Sequence, residues 1–364
     1  MLSLVRNIKF NQVRQLTKRT VATINVGDIT ETIITREDYP LDQCRETMKN
    51  KFVSIIGYGP QGRGQSLNLK DNGFNVIVGT RKGTSYDQAL EDGWVEGDNL
   101  FEIEEAVEIG DVVQYLLSDA GQIAAWPTVL PHLTEGKTLY FSHGLGTTFN
   151  EKTGIEPPEN IDVVLVAPKG AGMTVRNEFL KGNGINVSYA IDQDYTGNAK
   201  DVCLSLAFGI GCGHAFETTF EKEAISDLVG ERSVLMGGIQ GFFKAQYDVL
   251  RSRGHSPSEA YNETVEEALV SLYPLISDKG MDWLYANCST TAQRGALDWA
   301  YRFEEAIKPV IEECYDSVES GTEVDIVIEA NSYPGYRKRL NEELAEIKNQ
   351  ELWITAAQLR KLRP

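Results

Sequence analysis

Two patterns of apolar spacing divide the chain. From Lys51 to about Thr219, short apolar runs rich in Val and Ile alternate with stretches long enough for helices. The runs KFVSIIG, FNVIVG, DVVQYLL, KTLYFS, IDVVLVAP and GINVSYAI are apolar at successive positions, which predicts strands buried on both faces of a sheet. After Thr219 such runs cease. Apolar residues then recur at spacings of three and four, as in Ile225, Leu228 and Leu235 and in Val265, Ala268, Leu269 and Leu272. That period predicts helices over 220–320, broken by turns at 253–255 and 278–280, with a last helix beyond Pro334 and Gly335.

The first predicted strand runs into Gly57-Tyr58-Gly59-Pro60-Gln61-Gly62, and a helix over 65–71 and a second strand follow. Strand, glycine turn, helix and strand in this order form a dinucleotide-binding βαβ unit. Gly57 permits the tight turn, Gly59 lets the backbone approach a pyrophosphate, and Gly62 lets helix and strand pack closely. The second strand ends in Thr80, Arg81, Lys82, Gly83, Thr84 and Ser85. No carboxylate stands there to hold a ribose 2′-hydroxyl, whereas cations and hydroxyls suit a 2′-phosphate, so NADPH is favoured over NADH. The fold class expected is α/β: a Rossmann-like nucleotide-binding domain over 28–219, then an all-helical domain over 220–364. Ligands of open α/β sheets sit beyond the carboxyl ends of the strands. Asp119, His143 and Lys169 occupy such ends and should line one cleft.

The helical half holds two matched carboxylate pairs. Asp227 and Glu231 lie four apart, as do Glu263 and Glu267, the second pair behind a capping box that starts at Ser256-Pro257. Side chains four apart share a helix face, where like charges repel by roughly 0.2–0.5 kcal/mol. A solvated acidic face accounts for such pairs in a chain with 53 Asp and Glu, and so does a divalent cation. Hard oxygen ligands with little His or Cys nearby favour Mg²⁺ or Mn²⁺ over zinc.

Charge and composition narrow the function. A net charge of −18 repels phosphates and argues against a nucleic-acid surface. No apolar run is long enough to cross a membrane. The five cysteines follow no metal spacing and suggest reduced thiols. Residues 1–27 carry Arg6, Lys9, Arg14, Lys18 and Arg19 and no acid, the composition of a mitochondrial transit peptide, so the expected location is the mitochondrial matrix.

Six motifs in order, GYGPQGRGQSLNL, YFSHG, VLVAPKGAG, DLVGERSVLMGG, AYNETVEEAL and CSTTAQRGALDW, resemble ketol-acid reductoisomerase, in its short fungal mitochondrial form. The resemblance spans the chain from about Asp28 onward. It implies an enzyme that shifts an alkyl group in 2-acetolactate or 2-aceto-2-hydroxybutyrate and reduces the product with NADPH, using two Mg²⁺. It further implies that Asp227 bridges both metals and Glu231 completes one, with Glu263 and Glu267 donated by a partner chain of a homodimer or higher oligomer. His143 and Lys169 match active-site residues, and Ser289 matches a substrate contact. Tyr58, Gly59, Pro60, Gln61, Arg81, Thr84, Ser85, Asp119, Gln122 and Gly172 match the cofactor site. Pro60 replaces the serine of many members, which removes one hydroxyl contact. Two other readings compete: a metal-free NADP-dependent hydroxy-acid dehydrogenase, which would resist EDTA, and a nucleotide sensor that turns nothing over.

Overall fold

In the computed structural model, residues 22–363 are described. The expected presequence falls largely on residues 1–21, outside the described residues. Ten strands form one sheet: β1 (Ala22–Val26), β2 (Ile29–Thr35), β3 (Phe52–Ile56), β4 (Asn75–Gly79), β5 (Leu100–Phe101), β6 (Val112–Tyr115), β7 (Thr138–Phe141), β8 (Asp162–Pro168), β9 (Val187–Gln193) and β10 (His214–Glu217). Their spatial order is β1-β2-β10-β9-β8-β7-β6-β3-β4-β5. Strands β5-β4-β3-β6-β7-β8 run parallel, the doubly wound arrangement whose order reverses beside β3. β9 then pairs antiparallel with β8, so the sheet is mixed.

Alternation along each strand divides the core between two faces. Ile55, Val112 and Tyr140 face one cluster, and their neighbours Ile56, Val113, Leu139 and Phe141 face the other. Both faces are covered, which is why these strands are continuously apolar.

The hairpin β1–β2 lies across the limit at residue 27 expected from composition: Gly27 and Asp28 form its turn, and Ala22–Val26 pairs in register with β2. β2 joins the main sheet through β10, and Arg36 just beyond it fixes the join. Its guanidinium donates to the carbonyls of Gly182, Asn183, Gly211 and Cys212.

The glycine turn follows the expected geometry. Gly57 has φ +99° and packs on the Leu116 carbonyl, and a Cβ on Gly62 would lie 2.0 Å from the Gly57 oxygen. A Cβ on Gly59 would meet nothing within 4 Å, so that face of the turn is open. The helix that follows starts at Pro60, with proline in its first turn, five residues earlier than its apolar pattern indicates.

Beyond Thr219, whose hydroxyl caps the helix Phe220–Gly230, the described chain is helical. A satellite core packs Phe243, Tyr247, Tyr261 and Val265 against Leu352 and Ala356 of the last helix. Much apolar surface of this half stays exposed in one chain, including Val234, Leu235, Met236, Trp299 and Val310.

Gly62→Ala should destabilise the protein by about 2 kcal/mol or more, because the Cβ has no room against backbone. Gly59→Ala should change stability by less than about 1 kcal/mol. Thermal denaturation of the two variants checks the contrast.

Candidate active site

The site forms where the ends of β7 and β8 meet the helix Phe220–Gly230. Phe220 packs edge-on against Phe141, with ring centroids 6.0 Å apart. Gly144 permits the approach, since a Cβ there would lie 2.2 Å from the Phe220 carbonyl oxygen. One turn further along the helix, Glu223 points into the strand ends and is 2 % exposed. Its Oε2 accepts from the Gly144 N–H at 2.8 Å and lies 3.2 Å from His143 Nδ1, and its Oε1 accepts from Lys169 Nζ at 3.0 Å. Asp227, one turn on, has carboxylate oxygens 3.5 Å from His143 Nδ1 and 3.9 Å from Lys169 Nζ. His143, Glu223 and Asp227 can offer three ligand atoms within 4.8 Å of one another.

Electrostatics bind this cluster into one unit. Burial disfavours a charged imidazole, but the Glu223 hydrogen bond and the charges of Glu223, Asp119 and Asp227 outweigh it and push His143 up to about 9. Burial likewise acts to raise the Glu223 carboxyl. The contacts from His143, Lys169 and Gly144 overcome that and hold it below the usual carboxylate range. Glu231 lies above its ordinary value, through burial and the neighbouring charge of Asp227.

Glu223 is absent from the sequence expectation, yet the signal is there: Glu223, Asp227 and Glu231 continue one spacing of four. The Asp227–Glu231 pair straddles a change in the helix. Within Glu231–Leu235 the chain kinks at Ser233, whose φ −94° and ψ −108° are not helical, and wide π-type turns follow at Asn262–Glu266 and Ala268–Leu272. Such turns are frequent at functional sites. Glu263 and Glu267 are exposed, and neither makes an ion pair among the described residues. Within one chain they do not join the His143 cluster. Ser289 is also exposed; its hydroxyl accepts from the Ala292 N–H as the N-cap of the helix Thr290–Glu319.

The nucleotide cleft lies beyond the carboxyl ends of β3, β4 and β6 and measures about 750 Å³. Its walls are residues 57–61, 80–85 and 116–118, with Arg337 from the helix Tyr336–Lys348. Gly57, Tyr58, Gly59, Pro60, Gln61, Arg81, Thr84 and Ser85 thus share one cleft. Not all offer a side chain. The Tyr58 hydroxyl donates to Asp92 and accepts from Trp94 Nε1, which leaves its backbone for a ligand. Lys82 is held by Glu96 at 2.8 Å. Gly172 packs on Pro60, where a Cβ would lie 2.1 Å from the backbone, and lines the adjoining cleft. Asp119 and Gln122 line neither cleft. The Gln122 amide is buried and donates to the carbonyls of Tyr115 and Leu117, so it shapes the loop after β6.

The residues fit the groups that this chemistry requires. The open face at Gly59 and the helix start at Pro60 suit a dinucleotide phosphate chain, and Arg81, without an ion pair among the described residues, suits a 2′-phosphate. Glu231, Glu263 and Glu267 have no ion pair among the described residues, a donor set for hard cations.

Comparison with known proteins agrees with this geometry. The profile of the "Acetohydroxy acid isomeroreductase, NADPH-binding domain" matches residues 47–215, and that of the "Ketol-acid reductoisomerase, C-terminal domain" matches 220–364. The mitochondrial ketol-acid reductoisomerase of Saccharomyces cerevisiae is 54% identical over 350 residues, 96% of this chain and 89% of the relative. The ketol-acid reductoisomerase (NAD(+)) of Desulfosudis oleivorans is 53% identical over 343 residues, 94% of this chain and 97% of the relative. Among solved structures, an NADH-preferring ketol-acid reductoisomerase from an uncultured archean superposes with a TM-score of 0.81 at 31% identity, covering 91% of this chain and 99% of that one. With both of its halves matched in order and a Rossmann-like sheet leading into a helical domain, the chain belongs to the ketol-acid reductoisomerase family.

Proposed function

We propose that the chain converts 2-acetolactate and 2-aceto-2-hydroxybutyrate to the corresponding 2,3-dihydroxy acids, with NADPH as reductant and two Mg²⁺ bound. The observation that carries this reading is Glu223: one buried carboxylate ties His143 and Lys169 to the helix that bears Asp227 and Glu231. Asp227 and Glu231, with Glu263 and Glu267 of a second copy, would hold two Mg²⁺, which supply Lewis acidity toward the substrate's hydroxyl and carbonyl oxygens. NADPH would supply hydride from the cleft beyond β3, β4 and β6. The chain's own residues orient and balance charge. Glu223 fixes the His143 ring through Nδ1 and holds the Lys169 ammonium at the same wall. In the metal-free chain the carboxylates around His143 hold its pKa above the ordinary value, which favours the imidazolium beside an anionic substrate.

A site built from two copies is supported by two observations. The Glu263–Glu267 segment packs with the last helix, in a different core from Leu228 beside Asp227. The exposed apolar residues of the helical half are those of a surface that another chain would cover. A mitochondrial location is supported by the basic, acid-free start and by the mitochondrial yeast relative.

NADPH oxidation should require both 2-acetolactate and Mg²⁺ and stop in EDTA. Mg²⁺-independent turnover of a 2-hydroxy acid would replace this reading with a simple dehydrogenase. Glu223→Gln should lower kcat by about 100-fold while the NADPH Kd changes less than about twofold; a kcat near wild type would make Glu223 a purely structural residue. Asp227→Ala and Glu263→Ala should each be inactive, and co-refolding them should restore roughly a quarter of wild-type activity through mixed dimers. Sites confined to one chain would recover nothing.

A further inference from the structure

The nucleotide cleft contains one cation that neither the glycine turn nor the second strand supplies. Arg337 stands in the first turn of the helix Tyr336–Lys348 and lines the cleft together with Arg81, Thr84 and Ser85. It arrives there because the preceding helix, Thr322–Ser332, packs on the helix Asp119–Val129, which starts just beyond β6. No described residue lining the cleft is acidic, in a chain whose net charge is −18.

The pairing of the cations separates their roles. Lys82 is paired with Glu96 and lies over the Tyr86 ring. Arg81 and Arg337 make no ion pair or side-chain hydrogen bond among the described residues. On a surface so rich in acids, two arginines with no partner facing one acid-free cleft are held ready for an anion. The pyrophosphate of a dinucleotide is served by backbone N–H groups at the helix start. A 2′-phosphate carries close to two charges and has no such backbone cradle at the end of β4, where Thr84 and Ser85 are neutral. Guanidinium groups bind phosphate through paired N–H donors.

We propose that Arg337 is a second specificity-determining cation, which with Arg81 grips the 2′-phosphate of NADP(H) from the helical domain. The proposal rests on the NADPH reading above and deepens it. Because Arg81 follows the sheet and Arg337 belongs to the C-terminal helices, the cofactor's 2′-phosphate would bridge the two domains, and NADH could not.

Calorimetric titration with adenosine 2′,5′-bisphosphate and with 5′-AMP tests this without turnover. Wild type should bind the bisphosphate more tightly than 5′-AMP. Arg337→Ala should weaken the bisphosphate by about tenfold and leave 5′-AMP within about twofold, with Arg337→Lys in between. Equal losses for both ligands would move Arg337 to the 5′-phosphate and overturn the proposal. Wild-type selectivity retained in Arg337→Ala would overturn it too, and leave the NADPH reading intact. A wild type that does not distinguish the two ligands would sink the NADPH reading itself, and this proposal with it. Arg337 is exposed, and an unchanged Tm in the variants confirms that folding is not the cause.

Discussion

A single buried carboxylate holds this molecule's two halves in working register. Glu223 comes from the first helix after the sheet, yet all its partners, His143, Gly144 and Lys169, lie at strand ends. Leaving that carboxylate buried with no partner would cost several kcal/mol, so the helix must dock where the partners are. Docking in turn requires the Gly144 backbone to meet Phe220 without a Cβ between them. Asp227 and Glu231, one and two turns further on, inherit their positions from this contact.

How much of this was legible in the sequence depended on whether the cause was local. The glycine turn was, because each glycine answers a backbone constraint within a few residues. The cap at Ser256 was also legible, and its hydroxyl accepts from the Glu259 N–H as a capping box requires. The antiparallel turn of β9 and the hairpin β1–β2 were not, since pairing partners far apart in sequence leave no local mark. Glu223 was overlooked for a different reason. Its neighbours Glu221 and Lys222 give it the look of a solvated helix start, and only the tertiary fold reveals that this side chain turns inward.

Charge is distributed unevenly in a way that total composition conceals. The chain is strongly acidic, but no described residue lining the cleft beyond β3, β4 and β6 is acidic, while Glu223 and Asp227 stand beside His143 and Lys169. The relatives named for NAD(+) and for NADH show that one scaffold accommodates either nucleotide.

The Arg36 clasp has a consequence for how the chain folds. Its guanidinium closes on carbonyls as far as 176 positions away, and β2 beside it has β1 on one edge and, on the other, only β10. The hairpin β1–β2, synthesised before the rest of the sheet, thus has no strand for its second edge until β10 has followed. Contacts of such long range form late and slow the search for the native state. Until they form, β2 presents an unpaired edge, the kind of surface that chaperones shield and that aggregation exploits.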